Sequence, residues 1–552
     1  MSLATITDRY TAEQIDRFYA EGLWKPETLW QEIERQVEIR PDKPFIIDDS
    51  TQLSFVQTKD LAGSLAAGLA AIGIGPGSRV AVQIPNWVEF APIVIAISRV
   101  GAVAVPIQPI YRDNEVAHIL ATAEVYAVFT AAEYRGFDFD RMYDRLRPAA
   151  PRLQEVIAVR APESRFATHT LEALANPNPS ASPESDLPAP AGADDPFAII
   201  FSSGTTSKAK GCLHTLNTAR TPAIVQGEAY HYTAEDVQFG PSPLTHTTGI
   251  MSSFLMPLIH GATSVIMAKW DPAEGIRTIE NHKCTGTINA STFLHALLRA
   301  YRPEEHDLSS MRYWTLAGAP IPAALVAQAA EAMPGLRVLS QYGRTENMTT
   351  TMCAIDDDPA RSLSSDGRAL RGQDVVVLGP VDEVLPAGQE GEIAYRGSMS
   401  LLSYLGMPEE TAEMFTDEGY SKSGDLGIMD ESGFLRVTGR LKDIVVRGGL
   451  NISVRQVEDE LASHPAVDQV AVVSMPDELL GERACCYIVP SSGSEALTLD
   501  EIKDFLLSRG LAVQKVPERL EIVTEVPTTA TGKIQKNLLR DDIRDRLSKE
   551  PA

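Results

Sequence analysis

The chain has 552 residues, with 49 Lys and Arg against 74 Asp and Glu, and a formal net charge of −25 at neutral pH. Such a charge disfavours binding to nucleic acid or to an anionic membrane surface. The apolar share of 44% is ordinary for a globular protein, and a chain of this length typically forms about three to five domains or lobes. The five cysteines are too few and too irregularly spaced to indicate a disulfide scaffold or a zinc site.

Neither a signal peptide nor a membrane span is predicted. The N-terminus lacks a basic region followed by an apolar run. The most apolar stretch, residues 90–107, is interrupted by Pro92, Arg99 and Gly101 and is too short to cross a bilayer as a helix. We therefore expect a cytoplasmic protein without integral membrane association and without a nucleic-acid partner.

Apolar β-branched runs alternate with helical patterns through the first part of the chain. Residues 79–84 (RVAVQI) predict a buried strand, residues 88–98 a helix, and residues 102–107 the next strand. Further strands are predicted at residues 125–130, 155–159, 264–267, 287–289 and 314–316. This alternation is typical of an α/β fold with mostly parallel sheets.

The pattern changes twice further along the chain. Residues 176–196 are rich in proline and predict a linker, either between folding units or across the surface of one domain. Short strands with glycine turns predict a small β-rich lobe over residues 373–440, and an α+β pattern follows. We predict an N-terminal domain over residues 1–440 and a small C-terminal domain over residues 441–552.

The sharpest local feature is residues 202–211 (SSGTTSKAKG), which directly follow an apolar run. A loop of small hydroxyl residues with glycine leaves backbone N–H groups free to point at an anion, and Lys208 and Lys210 add positive charge. The composition predicts a polyphosphate cradle, and a flexible Ser/Thr turn is the alternative. The Gly-x4-Gly-Lys-Ser/Thr spacing of P-loop enzymes is absent, which argues against a kinase or ATPase of that class.

This loop resembles the signature of the adenylate-forming superfamily, which contains acyl-CoA synthetases, peptide-synthetase adenylation domains and luciferases. Ser207 stands where that signature has Gly, and Ala209 where it has Pro. Later segments resemble the other motifs of the superfamily in their usual order, namely residues 341–346 (QYGRTE), 423–425 (SGD), 439–443 (GRLKD) and 527–534 (PTTATGKI). The resemblance covers essentially the whole chain and implies a large α/β domain followed by a mobile C-terminal domain.

The resemblance implies a nucleotide site with a role for each motif. The ring of Tyr342 would lie against adenine, Thr345 would meet phosphate and Glu346 would hold Mg²⁺. Asp425 would accept the ribose hydroxyls, and Arg440 would reach nucleotide oxygens. The implied ATP and AMP site comprises Ser202, Ser203, Gly204, Thr205, Thr206, Lys210, Gln341, Tyr342, Gly343, Thr345, Asp425 and Arg440.

Two half-reactions follow from the same resemblance. Lys533 is the implied catalytic lysine, because an ammonium can neutralise charge on the carboxylate that attacks the α-phosphate. Lys442 is the implied hinge, and residues 447–452 (RGGLNI) resemble the loop that reaches the site during thioester formation, with Gly448, Gly449 and Leu450 beside the pantetheine chain. The implied catalytic residues are Lys533, Thr345, Glu346 and His246.

The acyl pocket is implied near residues 243–249, near residues 316–319 and just before Tyr342. These segments supply His246, Thr247, Thr248, Gly249, Ala317, Gly318, Ala319 and Ser340. They carry no Lys or Arg to pair a second carboxylate and no acid to pair an amino group. A compact, neutral, mostly apolar acid is therefore favoured, and aliphatic, alicyclic and aromatic acids all remain open.

Together these implications describe an acid–CoA ligase that uses ATP, Mg²⁺ and CoA. Residues 133–138 and 475–483 resemble the branch with cyclohexanecarboxylate and medium-chain CoA ligases. A stand-alone enzyme that loads an aryl or acyl acid onto a carrier protein is the alternative, although Thr247 stands where dihydroxybenzoate-adenylating enzymes carry Asn. A non-catalytic nucleotide or acyl sensor and a luciferase-like oxidase are further alternatives. The sequence leaves open whether the chain forms a homodimer.

Overall fold

The computed structural model describes residues 3–161, 164–176, 187–202, 209–318, 323–447, 450–477, 479–491, 493–494, 497–529 and 534–549. The helices of the described residues are α1 (Ile6–Arg9), α2 (Ala12–Ala20), α3 (Leu29–Ile39), α4 (Phe55–Ala71), α5 (Phe90–Arg99), α6 (Asp113–Thr122), α7 (Phe139–Leu146), α8 (Leu171–Ala175), α9 (Leu216–Tyr230), α10 (Thr247–Gly249), α11 (Met256–His260), α12 (Pro272–His282), α13 (Ser291–Ala300), α14 (Ala323–Ala332), α15 (Pro359–Ser364), α16 (Pro408–Glu413), α17 (Val454–Leu461), α18 (Leu499–Ser508) and α19 (Lys536–Lys549). Across these ranges, no helix combines the length and the apolar character that a membrane crossing needs.

The strands of the same residues are β1 (Pro44–Ile47), β2 (Gln52–Ser54), β3 (Arg79–Gln83), β4 (Val103–Pro106), β5 (Ala127–Ala131), β6 (Glu133–Tyr134), β7 (Phe137–Asp138), β8 (Glu155–Val159), β9 (His169–Thr170), β10 (Pro196–Phe201), β11 (Gly211–Thr215), β12 (Val237–Gly240), β13 (Thr263–Ile266), β14 (Gly286–Asn289), β15 (Tyr313–Ala317), β16 (Arg337–Tyr342), β17 (Thr351–Met352), β18 (Arg368–Ala369), β19 (Gln373–Leu378), β20 (Glu390–Gly397), β21 (Ser403–Tyr404), β22 (Ser421–Met429), β23 (Leu435–Arg440), β24 (Ile444–Arg447), β25 (Leu450–Ser453), β26 (Val467–Asp477), β27 (Gly481–Pro490) and β28 (Arg519–Ile522).

An eight-stranded sheet carries the phosphate-loop region. Its order is β21-β11-β10-β4-β3-β5-β8-β9, and β3, β4, β5, β8 and β10 run parallel. All five residues of β3 are buried. Helices cover both faces of such a sheet, which explains why the central strands read as continuous apolar runs. Strand β11 pairs antiparallel with β10, so the chain reverses direction across the loop that joins them.

The second large sheet has nine strands, in the order β18-β17-β16-β15-β14-β12-β13-β1-β2. Strands β1, β13, β12, β14, β15 and β16 are parallel, and β2, β17 and β18 add antiparallel edges. The carboxyl ends of β12, β14, β15 and β16 therefore meet at one edge, where ligands bind in open α/β sheets.

Two smaller sheets follow in the chain. The first is four-stranded and antiparallel, with the order β19-β20-β22-β23. The second contains β24 to β28, and it has its own apolar core, which includes Val445, Val472 and Ile488. Arg436 of β23 lies 3.7 Å from Asp459 of α17, and Ser453 Oγ donates to the Thr438 carbonyl at 2.6 Å, so these contacts join the two sheets.

The predicted α/β fold class is confirmed, including the β-rich lobe over residues 373–440. Residues 177–186 of the predicted linker lie outside the described residues. At its end, Pro196 already begins β10, where a proline at the first position of a strand is tolerated. The antiparallel strand β11 and helix α9 were not predicted from the sequence. Thr215 caps α9 by accepting a hydrogen bond from the Thr218 N–H, a helix-start signal that the sequence does contain.

One irregular segment lies next to the site described below. Residues Ile250–Leu255 form a π-helix between α10 and α11, and all six residues are buried. A π-helix has a wider turn than an α-helix and is frequent at functional sites.

Candidate active site

Strands from three sheets bring the predicted nucleotide residues together. Strand β16 ends at Tyr342, and strands β22 and β23 place Asp425 directly opposite Arg440. The hydroxyl of Tyr342 donates to Asp425 Oδ2 at 2.6 Å, which joins the nine-stranded sheet to the β-rich lobe. The sequence motifs that are far apart in the chain therefore form one cluster, which we call the nucleotide corner: Lys210, Tyr342, Arg344, Glu346, Tyr404, Asp425 and Arg440.

The carboxylate of Asp425 is held from both sides. Arg440 Nε lies 2.9 Å from Oδ1, while Tyr342 occupies Oδ2. The charge of Asp425 raises the pKa of the Arg440 guanidinium. An ionised carboxylate offers about four acceptor positions, so two remain for further donors such as the hydroxyls of a ribose.

Glu346 is a buried carboxylate with two donors on one oxygen. Tyr404 Oη donates to Oε1 at 2.7 Å, and Arg344 Nη2 donates to the same oxygen at 3.2 Å. Burial raises the pKa of Glu346, but the charge of Arg344 and the hydrogen bond from Tyr404 outweigh it, so that the pKa lies below its usual range. Glu346 is therefore ionised at neutral pH.

The donor set at Glu346 fits a magnesium ion that arrives with a nucleotide. Among the described residues, no group of three or more His, Cys, Asp or Glu side chains could hold a metal ion. Mg²⁺ is commonly bound by only one or two carboxylates together with substrate phosphates and water. A single ionised carboxylate beside a predicted phosphate loop matches that kind of site.

Residues on both sides of the phosphate loop are fixed to each other. The Ser202 N–H donates to the Lys210 carbonyl at 2.9 Å, and the Lys210 N–H donates to Ser202 Oγ at 3.2 Å. Lys210 Nζ lies 4.7 Å from the centre of the Tyr404 ring, a cation–π distance. Tyr404 therefore contacts both the loop lysine and Glu346, and it was not predicted from the sequence. Six loop residues lie outside the described residues, namely Ser203, Gly204, Thr205, Thr206, Ser207 and Lys208.

The turn after β16 requires particular residues. A Cβ on Gly343 would lie 2.2 Å from the Met348 carbonyl oxygen, so only glycine fits there. His214 Nε2 lies 2.9 Å from the Thr345 carbonyl, and His214 Nδ1 lies 3.2 Å from Thr218 Oγ1. Burial lowers the pKa of His214 to about 4, so the neutral ring donates to Thr345 and holds this turn at neutral pH.

The side chain of Gln341 has a different place from the one implied by the resemblance. Its Nε2 donates to the buried Thr349 hydroxyl at 2.9 Å, and the residue is 5% exposed. Its backbone, rather than its amide group, lies beside the nucleotide corner, because Gln341 immediately precedes Tyr342 on β16.

A small cavity lies beside the nucleotide corner. It is lined by Ser242, Pro243, His246, Thr248, Ala290, Phe293, Ala317 and Gly318. Ala317 of β15 is the register partner of Gln341 on β16, which places the cavity next to Tyr342. None of these lining residues is Asp, Glu, Lys or Arg, so the cavity offers no full charge to a ligand.

Four of the predicted pocket residues line this cavity, namely His246, Thr248, Ala317 and Gly318. Ser340 does not, because its hydroxyl donates to the Ser365 carbonyl at 2.8 Å within the interior. Thr247 and Gly249 are buried beside the cavity, and a Cβ on Gly249 would lie 2.1 Å from the Pro243 carbonyl oxygen. Ala319 lies outside the described residues.

The sequence prediction missed Ser242, Pro243, Ala290 and Phe293. These residues follow the carboxyl ends of β12 and β14, as Gly318 follows β15. The rule that ligands bind at the carboxyl ends of parallel strands could have found them. Asn86 fixes this wall, since its Nδ2 donates to the Ser242 carbonyl at 2.9 Å and its Oδ1 accepts the Leu244 N–H at 2.8 Å.

Two residues implied in the second half-reaction, Lys442 and Leu450, lie just before the C-terminal sheet and on it. Lys442 is in the short 3-10 turn Leu441–Asp443, and Asp443 forms a 2.8 Å ion pair with Arg540 of α19. Leu450 begins β25 and is 52% exposed. Gly448, Gly449 and Lys533 lie outside the described residues.

Comparison with known proteins agrees with this geometry. The model of the AMP-binding enzyme family matches residues 33–405, and that of the AMP-binding enzyme C-terminal domain matches residues 456–533. The chain is 32% identical over 549 residues to a medium-chain fatty-acid–CoA ligase of Escherichia coli (strain K12), covering 99% of this chain and 95% of that protein.

Two further relatives extend the comparison. The chain is 32% identical to a 3-[(3aS,4S,7aS)-7a-methyl-1,5-dioxo-octahydro-1H-inden-4-yl]propanoyl:CoA ligase of Rhodococcus jostii (strain RHA1), over 90% of this chain and 95% of that protein. The present chain also superposes on the crystal structure of the anthranilate CoA ligase AuaEII in complex with anthranoyl-AMP, with a TM-score of 0.86. The two are 25% identical, and the match covers 95% of this chain and 98% of that one. The chain therefore belongs to the AMP-binding enzyme family of the adenylate-forming superfamily, as an AMP-forming acid–thiol ligase of the acyl-CoA synthetase type.

Proposed function

We propose that the enzyme activates a neutral, largely apolar carboxylic acid as its acyl-adenylate and then transfers the acyl group to CoA. The observation that carries this proposal is the position of a cavity without charged lining residues directly beside the nucleotide corner. The cavity would hold the acyl chain, and the corner would hold ATP. The acid carboxylate would then meet the α-phosphate where the two regions join.

In the first half-reaction, the corner residues would bind and orient ATP. Asp425 has acceptor positions left for ribose hydroxyls, and the Tyr342 ring would pack against adenine. Glu346 would hold Mg²⁺, which when bound neutralises charge on the phosphates. Lys533 would approach the attacking carboxylate and stabilise the negative charge that builds on it. The attack forms the acyl–O–P bond and releases pyrophosphate.

In the second half-reaction, we propose that residues 441–552 rotate about Lys442. The rotation would withdraw Lys533 and bring Gly448, Gly449 and Leu450 towards the acyl-adenylate. The CoA thiol would attack the acyl carbon, lose its proton and expel AMP, leaving a thioester. Since each domain position would cover the site in turn, water would be kept from the adenylate.

The lining of the cavity supports the proposed class of acid. A second carboxylate buried there would lack a cationic partner, and an amino group would lack an anionic one, which is costly in a desolvated site. Ala290, Ala317 and Gly318 line the cavity together with Phe293, and its volume is about 20 Å³, so the side chains around it would have to move apart to admit an acid. Medium-chain, alicyclic and aryl acids all lack such a second charge.

The deciding experiment is pyrophosphate release from Mg-ATP across a panel of neutral carboxylic acids, with dicarboxylic and amino acids as controls, each with and without CoA. We expect turnover with neutral acids that depends on CoA. Turnover that responds little to CoA would favour loading of a carrier protein instead. ATP binding without turnover across the panel would favour a sensor.

We further propose a reducing compartment, the cytoplasm, as the location of the enzyme. All five cysteines are unpaired and buried. The protein is purified under oxygen with a thiol-blocking reagent and is then denatured. Thiol counting should find all five cysteines in the reduced form, and fewer than five would contradict the proposed location.

A further inference from the structure

Arg344 occupies the variable position of the QYGRTE motif, one residue before the implied phosphate contact Thr345. Its guanidinium lies between the two acids of the nucleotide corner, with Nη2 at 3.2 Å from Glu346 Oε1 and Nε at 3.9 Å from Asp425 Oδ2. Nη1 lies 3.5 Å from Tyr395 Oη. The side chain is 20% exposed.

The corner of the free protein holds two acids and three cations: Arg344 and Arg440 pair with the acids, and Lys210 contacts the Tyr404 ring. Glu346 and Asp425 are 6% and 4% exposed and supply two negative charges, while Arg344 and Arg440 supply two positive charges. The proposed function adds a magnesium ion to Glu346 and a ribose to Asp425. Both additions compete for the oxygens that Arg344 contacts, and the metal adds positive charge beside the guanidinium.

A guanidinium released in this way lies beside the most anionic part of the ligand. Its planar fork of donors matches phosphate oxygens in pairs, whereas a lysine acts as a point charge. The protein is strongly acidic overall, so a phosphate needs cations supplied locally. Among the described residues of the corner, Arg440 remains paired with Asp425 on the neighbouring strand.

We propose that Arg344 is a further phosphate-binding residue, which pairs with Glu346 and Asp425 in the free protein and with phosphate oxygens in the nucleotide complex. This inference rests on the proposed function. The competing role is charge neutralisation alone, in which Arg344 would only keep the two acids apart and would not contact the ligand.

The two roles differ in whether the charge of Arg344 alone is enough. A phosphate contact helps ATP and AMP but gives adenosine nothing. A role as counter-charge alone would also weaken the binding of the anionic ATP and AMP, but Arg344→Lys, which keeps the charge, would then restore their affinity fully. The measurement is therefore equilibrium binding of Mg-ATP, AMP and adenosine to the full chain by titration calorimetry, without acid or CoA.

We expect Arg344→Met to raise the Kd of Mg-ATP about 10- to 100-fold, the usual range for a hydrogen bond to a charged group. The Kd of adenosine should change less than about 2-fold, because adenosine carries no phosphate for the guanidinium to contact. Arg344→Lys should recover only part of the ATP affinity, because it restores charge without the fork. Arg344→Gln, which keeps a donor for Glu346, serves for the same comparison if Arg344→Met does not fold.

Arg277→Met is the matched control, since Arg277 is exposed and pairs with Glu274 on the surface; it should leave every Kd unchanged. Equal losses for ATP and adenosine, wild-type ATP affinity in Arg344→Lys, or undiminished ATP binding in Arg344→Met and Arg344→Gln would overturn the inference. Failure of the wild-type chain to bind ATP would instead overturn the proposed function, so the two failures are distinguishable.

Discussion

The nucleotide corner and the cavity beside it, where we propose that the acyl group binds, are neighbours on the same sheet edge but are built differently. The corner joins ionised and aromatic side chains by contacts such as 2.6 Å between Tyr342 and Asp425 and 2.7 Å between Tyr404 and Glu346. The cavity is a space between small uncharged residues, bounded by Phe293 and His246. Fixed charges suit ATP, the same ligand in every reaction cycle, whereas a cavity defined by its shape suits the acid, which differs from one relative to another.

This difference predicts two kinds of mutational effect. A substitution in the corner should reduce the reaction with every acid by a similar factor, because it acts on ATP. A substitution in the cavity should reorder the acids and leave the affinity for ATP nearly unchanged. The variants below test this separation, from the largest expected effect to the smallest.

Replacing Lys533 should give the largest effect. We expect Lys533→Ala to slow acyl-adenylate formation about 10²- to 10³-fold for every acid, because a group that stabilises transition-state charge is lost. Thioester formation from supplied acyl-AMP should be retained. The two half-reactions are measured separately, by pyrophosphate release and by CoA consumption.

Lys442→Pro is the complementary variant, because a proline would restrict rotation at the hinge. It should spare adenylation and slow thioester formation. Equal losses in both half-reactions in either variant would contradict the assignment of that residue.

Enlarging a residue in the cavity should change the choice of acid. Ala317→Leu adds three carbon atoms where β15 ends. We expect kcat/KM for the bulkiest accepted acids to fall about 10- to 100-fold relative to the smallest, the discrimination that about one methylene group gives in an apolar pocket. The KM for ATP should stay within about 2-fold, since cavity contacts are not made to ATP.

Ser340→Ala is the matched control for Ala317→Leu. Ser340 lies on the adjacent strand but bonds to Ser365 in the interior, so its replacement should preserve the order of the acids. A uniform loss across the acid panel in Ala317→Leu would show that the cavity and the corner are not separable.

Tyr404→Phe should weaken the corner without removing a charge. It removes the 2.7 Å donor to Glu346 but keeps the aromatic ring beside Lys210. We expect the KM for Mg-ATP to rise about 5- to 10-fold, equally for all acids, which is less than for most hydrogen bonds to a charged group because Arg344 still donates to the same oxygen of Glu346. Magnesium titrations at several ATP concentrations measure this.

Tyr420→Phe provides the comparison for Tyr404→Phe, since the Tyr420 hydroxyl donates at 2.6 Å to Asp374 in the β-rich lobe. It should behave as wild type. If the magnesium dependence of Tyr404→Phe is unchanged, the hydrogen bond from Tyr404 does not support metal binding at Glu346.

The smallest effect concerns stability rather than catalysis at neutral pH. Because burial lowers the pKa of His214 to about 4, the unfolded chain binds the proton more readily, at about 6.5. The stability from the neutral ring is present above pH 6.5 and is lost as the pH falls towards 4. Between pH 7.5 and 5, about 2 kcal/mol of unfolding free energy should be lost.

His214→Gln cannot ionise and keeps a donor for the Thr345 carbonyl, so it should lose about 2 kcal/mol less than wild type over the same pH interval. Denaturant unfolding at the two pH values measures the difference. His231→Gln, at an exposed position, should follow wild type. Parallel losses in wild type and His214→Gln would contradict the account.

The nucleotide corner was largely predictable from the sequence because charged and aromatic residues at fixed spacing carry its chemistry. Tyr342, Glu346, Asp425 and Arg440 all lie within this corner. Tyr404 was missed because a lone tyrosine in a short strand has no distinctive pattern, and only the pairing of β21 with β11 brings it to Glu346.

The cavity beside the corner was less predictable because its shape depends on how the strands pack, and not on distinctive residue types. Ala290 and Phe293 are ordinary core residues in sequence, and only the order of strands β12, β14 and β15 turns them towards a shared cavity. Ser340 was implied as a pocket residue by the resemblance, but its hydroxyl faces the interior, where it donates to the Ser365 carbonyl. Alternation along a strand places neighbouring residues on opposite faces, so a shift of one position is enough to exclude a residue.

The π-helix Ile250–Leu255, which follows Thr248 and Gly249 at the cavity, has a consequence for how this enzyme can diverge. Removing one residue from an α-helix rotates everything beyond it by about 100°, whereas a π-turn can absorb the loss by becoming an ordinary turn. We therefore expect a one-codon deletion within this segment to yield a folded enzyme with an altered acid preference, which the acid panel would reveal. Changes in gene length, and not only point substitutions, would then be a route to new substrates.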